Sequence, residues 1–99
     1  MNIFQKSDEF DAWLTNLKDH TGKAQILLRL DRASRGNWGD CEPVGEGVSE
    51  MRIHFGPGYR VYFTRRGVVI YLLLSGGDKS AQKRDIKHAI AMARTLIKE

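Results

Sequence analysis

The sequence predicts an α+β domain in which helices pack on a small, mainly antiparallel sheet. Three observations carry this expectation. Residues 50–63 alternate apolar and polar side chains on both sides of Gly56-Pro57-Gly58, as a β-hairpin does. Residues 68–74 (VVIYLLL) are apolar throughout, the pattern of a strand covered on both faces. Phe10, Trp13, Leu14 and Leu17 recur at helical spacing, as do Ile86, Ala89, Ile90, Ala93, Leu96 and Ile97.

In chain order, Met1–Lys6 reads as an edge strand. Ser7 is the expected N-cap of a first helix, and Asp8, Glu9 and Asp11 place acids at its positive end. The helix is expected to stop near His20-Thr21-Gly22, where glycine can take the left-handed conformation. A second helix is expected from Lys23 to about Ser34. Its apolar face is Ala24, Leu27 and Leu28, broadened by Ile26 and Leu30, with Arg29, Arg32 and Arg35 on the wetter side. So short a break predicts an antiparallel helical hairpin. Residues 36–49 read as an ordered loop anchored by Trp38 and Val44. After the 50–63 hairpin come a tight turn at Arg65-Arg66-Gly67, the apolar strand at the sheet centre, and an exit at Ser75-Gly76-Gly77-Asp78-Lys79. A last helix is expected from Ala81 to about Ile97, N-capped by Ser80. Lys83, Lys87, Arg94 and Lys98 form its basic face, with Arg84 and His88 beside them. The expected order is β-α-α-β-β-β-α in a single domain, residues 1–99.

With 99 residues the chain can build one core. The net charge of +4 is unevenly spread. Residues 1–50 hold 6 Lys/Arg against 9 Asp/Glu, and residues 51–99 hold 10 against 3, so the first half is acidic and the second suits a polyanion. The single cysteine, Cys41, excludes an intramolecular disulfide and fits a reducing compartment; Asp40 and Glu42 beside it disfavour a thiolate. The acidic start MNIFQKSDEF does not read as a secretory leader, and no apolar run approaches the roughly 20 residues of a membrane span, so a cytoplasmic protein that makes no membrane contact is expected. The three histidines lack metal-ligand spacing, and GGDKS lacks the spacing of a phosphate loop, so neither a metal nor another cofactor is expected.

If Gly56-Pro57-Gly58 is the whole hairpin loop, His54 lies opposite Arg60 and Arg52 opposite Tyr62, on an exposed face. Arginine forks suit phosphate oxygens. His54 is the natural proton shuttle on that face. Tyr62 can stack a base or donate a proton, and Lys79 at a helix start can meet a phosphate. The plain alternative is a pair of solvated strand arginines balanced by Glu50 or another acid.

Four stretches carry a resemblance to a known family: Phe10-Asp11-Ala12-Trp13-Leu14, residues 43–52 (PVGEGVSEMR), residues 56–63 (GPGYRVYF) and residues 74–80 (LSGGDKS). With the order β-α-α-β-β-β, they resemble the RelE/ParE superfamily of type II toxin–antitoxin toxins, and within it the HigB-like "addiction module killer protein" branch. The resemblance covers nearly the whole chain. It implies a toxin causing growth arrest, held inactive by a cognate antitoxin that is commonly a helix-turn-helix protein. It also implies cleavage of mRNA at the ribosome without metal, with operator DNA reached only through the antitoxin complex. The ParE type shares the fold but inhibits DNA gyrase, so a non-catalytic gyrase inhibitor stays open, as does a degenerate toxin acting only in an antitoxin complex. The family's basic positions match Arg52 and Arg60, and Lys79 follows the last strand. The chain departs from the RelE pattern in having no tyrosine or histidine just after that strand. The candidate catalytic residues are therefore Arg52, His54, Arg60, Tyr62 and Lys79, with Arg65, Arg66, Lys83, Arg84 and Lys87 as candidate RNA contacts.

Overall fold

The computed structural model describes residues 1–97. Its elements are β1 (Ile3–Lys6), α1 (Asp8–Asn16), α2 (His20–Ser34), β2 (Cys41–Gly45), β3 (Val48–Ile53), β4 (Tyr59–Arg65), β5 (Ile70–Asp78), a 3₁₀ turn (Lys79–Ala81) and α3 (Gln82–Ile97). The five strands form one sheet in the order β1-β5-β4-β3-β2. All pairings are antiparallel except that of β1, which runs parallel to β5 at the edge. The α+β class and the edge position of β1 are as expected. The central strand is β4 rather than β5. Lys98, placed on the basic helix face, lies outside the described residues.

Both sheet faces are covered. On one, α1 and α2 bury Phe10, Leu14, Ile26, Leu30 and Ala33 against Met51, Ile53, Tyr59, Val61, Phe63 and Leu73. On the other, α3 lays Ala89 and Ala93 on Val48, Tyr62, Leu72 and Leu74, flanked by Ile86 and Ile90. The second cover explains why the hairpin's polar side is not an exposed patch. An amphipathic helix must bury its apolar stripe somewhere, and α3 buries its own on the polar-alternating face of β3 and β4.

Several local expectations change. The first helix ends at Asn16, and the next begins at His20 with Asp19 as its N-cap, accepting from the Gly22 N–H at 2.9 Å. Gly22 is thus a buried first-turn residue, where a Cβ would reach 2.5 Å from the Tyr59 ring. The buried face of α2 is Gly22, Ile26, Leu30 and Ala33, while Leu27 and Leu28 stay exposed. α1 packs on β5 and α2 on β3, and the two helices share one core on that face of the sheet. Arg29 is not on a wet side: its guanidinium donates to the carbonyls of Arg52, Trp38 and Asp40.

Residues 36–49 contain β2 and a second hairpin turn at Glu46-Gly47, so Cys41 sits in a strand. Trp38 does anchor the segment, stacked on Phe63 at 4.9 Å and edge-on to Tyr71 at 4.8 Å. Strand β5 continues through Gly76-Gly77-Asp78, and Asp78 rather than Ser80 caps the following turn by accepting from the Ser80 N–H. The Ser7 cap is as expected, accepting from the Phe10 N–H at 2.9 Å.

Candidate functional site

The 50–63 hairpin carries five loop residues, His54–Gly58, where a three-residue loop was expected. The Phe55 N–H donates to Ile53 O, the Gly58 N–H to Phe55 O, and Gly56 and Gly58 take positive φ. The register moves by two residues: Arg52 pairs with Arg60, Ile53 with Tyr59 and Glu50 with Tyr62. A slip of two keeps every side chain on its face and changes only its partner. Arg60 is therefore opposite Arg52, and His54 leaves the ladder.

The two arginines have different surroundings. Arg52 Nε donates to Glu50 at 2.9 Å, its Nη2 donates to Glu42 at 2.8 Å, and Asp40 lies 3.8 Å from Nη1. Hydrogen bonds from Glu50 and Glu42 raise its pKa further above the usual arginine value. Arg60 is only 8% exposed and forms no ion pair among the described residues. Its Nη1 donates to Gly58 O at 2.6 Å, and its Nε is buried without a hydrogen-bond partner. Gly58, at φ 78°, has no side chain, so the Arg60 guanidinium and the Lys79 stem close in beside it. A Cβ there would come within 2.6 Å of Arg60 Nη1 and 3.4 Å of Lys79 Cβ.

Two further polar atoms on this face lack partners among the described residues, Tyr62 Oη and Ser75 Oγ. They belong to directly opposed residues. A bulge in β5 sets Leu74 and Ser75 together opposite Tyr62, then restores alternation so that Gly76 meets α1 and Gly77 meets α3. Burial, and next the charge of Glu50, raise the Tyr62 pKa above the ordinary tyrosine value. Glu50 itself is fully buried and accepts two hydrogen bonds from Gln82, at 3.0 and 3.1 Å, as well as that from Arg52. The Asp85 carboxylate rests against Gly77, where a Cβ would overlap it. Burial is the main cause raising the Asp85 pKa. A surface cleft of about 580 Å³, lined by residues 79–84, opens beside this cluster and carries Lys79, Lys83 and Arg84.

The structure thus brings the Arg60 guanidinium and the Lys79 stem together at Gly58, with Lys83 and Arg84 along the cleft, while Tyr62 is buried further along β4 opposite Ser75. Arg52 borders the cluster through Glu50. His54 is exposed and hydrogen-bonded to Asp40 at 2.6 Å, a bond that holds the Asp40 pKa below the usual carboxylate value. Lys87 is exposed on the next turn of α3. Arg65 and Arg66 lie apart, five and six residues along from Arg60, about 17–20 Å at strand spacing. Arg65 donates to the carbonyls of Gly67 and Val68, and Arg66 to Gln5, so both serve their own turn and edge. Glu50, Ser75, Gln82 and Asp85 were not among the candidates. Their sequence signal is the i, i+3 spacing of Gln82 and Asp85 on one helix face, together with two adjacent glycines in an otherwise apolar strand.

A protein of Haemophilus influenzae described as uncharacterized is 47% identical over 87 residues, 88% of this chain and 88% of that protein. The two belong to one family. No family model matches the sequence. The relative's description assigns no activity. No helix among the described residues is long and apolar enough to cross a membrane.

Proposed function

We propose that this protein is a type II toxin that arrests growth as a ribosome-dependent, metal-independent mRNA endoribonuclease, and that it is held inactive in the cytoplasm by a cognate antitoxin. The observation that supports this best is Arg60. A buried guanidinium without a carboxylate is costly unless an anion completes it. Lys79 beside it, and the cleft with Lys83 and Arg84 along the start of α3, suit a phosphodiester. Arg60 and Lys79 stabilise the charge that develops on phosphorus, and Tyr62, fully buried under α3, packs behind them. Arg52, already held by Glu50 and Glu42, orients Glu50 rather than the substrate.

The test is brief induction without antitoxin, followed by mapping of new mRNA 5′ ends. Wild type should produce ends within translated regions. Arg60→Ala should reduce them by about 10²–10³-fold, the usual effect of removing one group that stabilises developing charge. Unchanged cleavage in Arg60→Ala overturns the assigned site. Growth arrest with intact mRNA and DNA-damage signalling would instead indicate gyrase inhibition, and no arrest at all a degenerate toxin.

A further inference from the structure

Cleavage through the ribose 2′-hydroxyl needs a group that accepts its proton within hydrogen-bond reach. The corrected hairpin register removes His54 from the ladder position facing Arg60. Building on the ribonuclease reading, we propose that Asp85 is the proton acceptor of this site. Its carboxylate lies directly on Gly77, and Gly77 is the cross-strand partner of Arg60. The buried Tyr62 hydroxyl lies behind them, close enough to feel the charges of Glu50, Asp85 and Arg60.

Glu50, the other carboxylate of the cluster, is fully buried and taken up by Gln82 and Arg52. Asp85 is freer. Its single ion-pair contact among the described residues is Arg84 Nε at 3.9 Å, and the Arg84 side chain is 83% exposed. The charged and titratable groups facing Asp85 are Arg84 and His88 from α3, Asp78 from β5, Glu9 from α1 and Tyr62 from β4. Burial raises its pKa, Arg84 opposes the rise and Asp78 adds to it. A carboxylate moved upward in this way is a better base at neutral pH than an ordinary surface aspartate.

In the step itself, Asp85 takes the 2′-hydroxyl proton as the 2′-oxygen bonds to phosphorus. The P–O5′ bond then breaks, and the leaving 5′-oxygen takes a proton from water. The products are a 2′,3′-cyclic phosphate and a 5′-hydroxyl, and Asp85 returns its proton to solvent.

The experiment is single-turnover cleavage of a defined mRNA on purified programmed ribosomes, with the rate followed against pH. Wild-type rate should rise with pH through the Asp85 pKa and then level. Asp85→Asn should lower the rate by about 10²–10⁴-fold, the usual contribution of one acid–base group, and abolish that rising limb while ribosome binding is retained. Asp85→Glu should keep the limb, displaced along the pH axis. Asp85→Asn with wild-type rate and profile overturns the assignment, and so does a slow variant that keeps the wild-type limb. Should the asparagine variant fail to fold by circular dichroism, an undisplaced limb in Asp85→Glu overturns it. Wild type that leaves the mRNA intact overturns the ribonuclease reading and this assignment together, an outcome distinct from active wild type with an indifferent Asp85.

Discussion

Adjacent glycines on β5 allow one face of the sheet to be tested against the other. At Gly76 an added Cβ would overlap three atoms of the Trp13 ring. That ring packs against Phe10 at 5.9 Å and Tyr59 at 6.3 Å, which restricts its movement. Gly76→Ala should therefore carry the cost of an overpacked core, about 1–3 kcal/mol. For a domain of this size that corresponds to a fall in Tm of roughly 5–20 °C. At Gly77 the added Cβ would meet only the end of the Asp85 side chain, which can turn outward. Its cost is offset by the reduced freedom of alanine in the unfolded chain, worth about 0.4–1 kcal/mol, so Gly77→Ala should melt near wild type. Thermal unfolding followed by circular dichroism measures both, and the ribosome cleavage assay measures the second outcome. Gly77→Ala should fold and yet lose cleavage, because Asp85 no longer reaches the space beside Arg60. Equal melting of the two variants would refute the assignment of Trp13 and Asp85 to opposite faces. A fully active Gly77→Ala would refute the need for Asp85 to touch the strand.

Other consequences follow from contacts away from the cleft. Arg29→Met keeps the stem but removes donors from three carbonyls, and should lower stability by about 1–3 kcal/mol in urea unfolding. Ser7→Ala removes the cap of α1 and a hydroxyl that donates to Leu74 O at 2.6 Å, so a loss of about 1–2 kcal/mol is expected from the same measurement. Asp19 accepts from the Gly22 N–H and from the Tyr59 hydroxyl, and these bonds, Gly22 first, hold its pKa below the ordinary 3.8. A depressed pKa gives stability that is present above the unfolded value and lost as pH falls through the folded one. The difference between wild type and Asp19→Asn should therefore shrink only in acid, below about pH 4. At the alkaline end, burial and then Asp19 push the Tyr59 pKa from 10.0 up to about 12. Its contribution is complete below the unfolded value and should disappear as pH rises between the two, a loss absent from Tyr59→Phe.

Much of the fold was legible because period-two and period-3.6 patterns report faces and element types directly. Hairpin register was not, since a slip of two residues leaves the pattern unchanged; the five-residue loop was settled by the positive φ of Gly56 and Gly58 and by turn bonds that composition does not display. The buried face of α2 was misread because Leu27 and Leu28 are larger than Gly22 and Ala33, although the latter pair with Ile26 and Leu30 on the stripe that meets the sheet. Strand β2 was hidden by its proline and by the glycines in and around it, which mark an edge as readily as a loop. The covered polar face was hidden for a different reason. Arg52, Arg60 and Tyr62 look solvated on a two-stranded hairpin, and only the docking of α3 shows that Tyr62 and Glu50 are fully buried.

That docking also separates two arginines that the sequence makes look equivalent. Directly opposed like charges on neighbouring strands repel unless each finds its own surroundings. Arg52 is on β3, beside the edge strand β2, whose Glu42 and preceding Asp40 reach it, and it spans to Glu50 as well. Arg60 is on the central strand, one step further from those acids, and among the described residues has only the Gly58 carbonyl. The strand order thus neutralises one guanidinium and leaves the other, with the Lys79 stem beside it, without a carboxylate among the described residues, as the proposed phosphate site requires. Exchanging the two environments gives a direct test. Glu42→Gln should loosen Arg52 without altering the phosphate-dependent step, whereas a carboxylate placed at Gly77, directly opposite Arg60, should pair that guanidinium internally. Gly77→Asp should then suppress RNA cleavage beyond the loss in Gly77→Ala, which displaces Asp85 alone, and weaken the salt dependence of RNA binding relative to Gly77→Ala, as expected when a phosphate contact is lost. Undiminished cleavage in a folded Gly77→Asp variant would show that Arg60 is not the group that receives the phosphate.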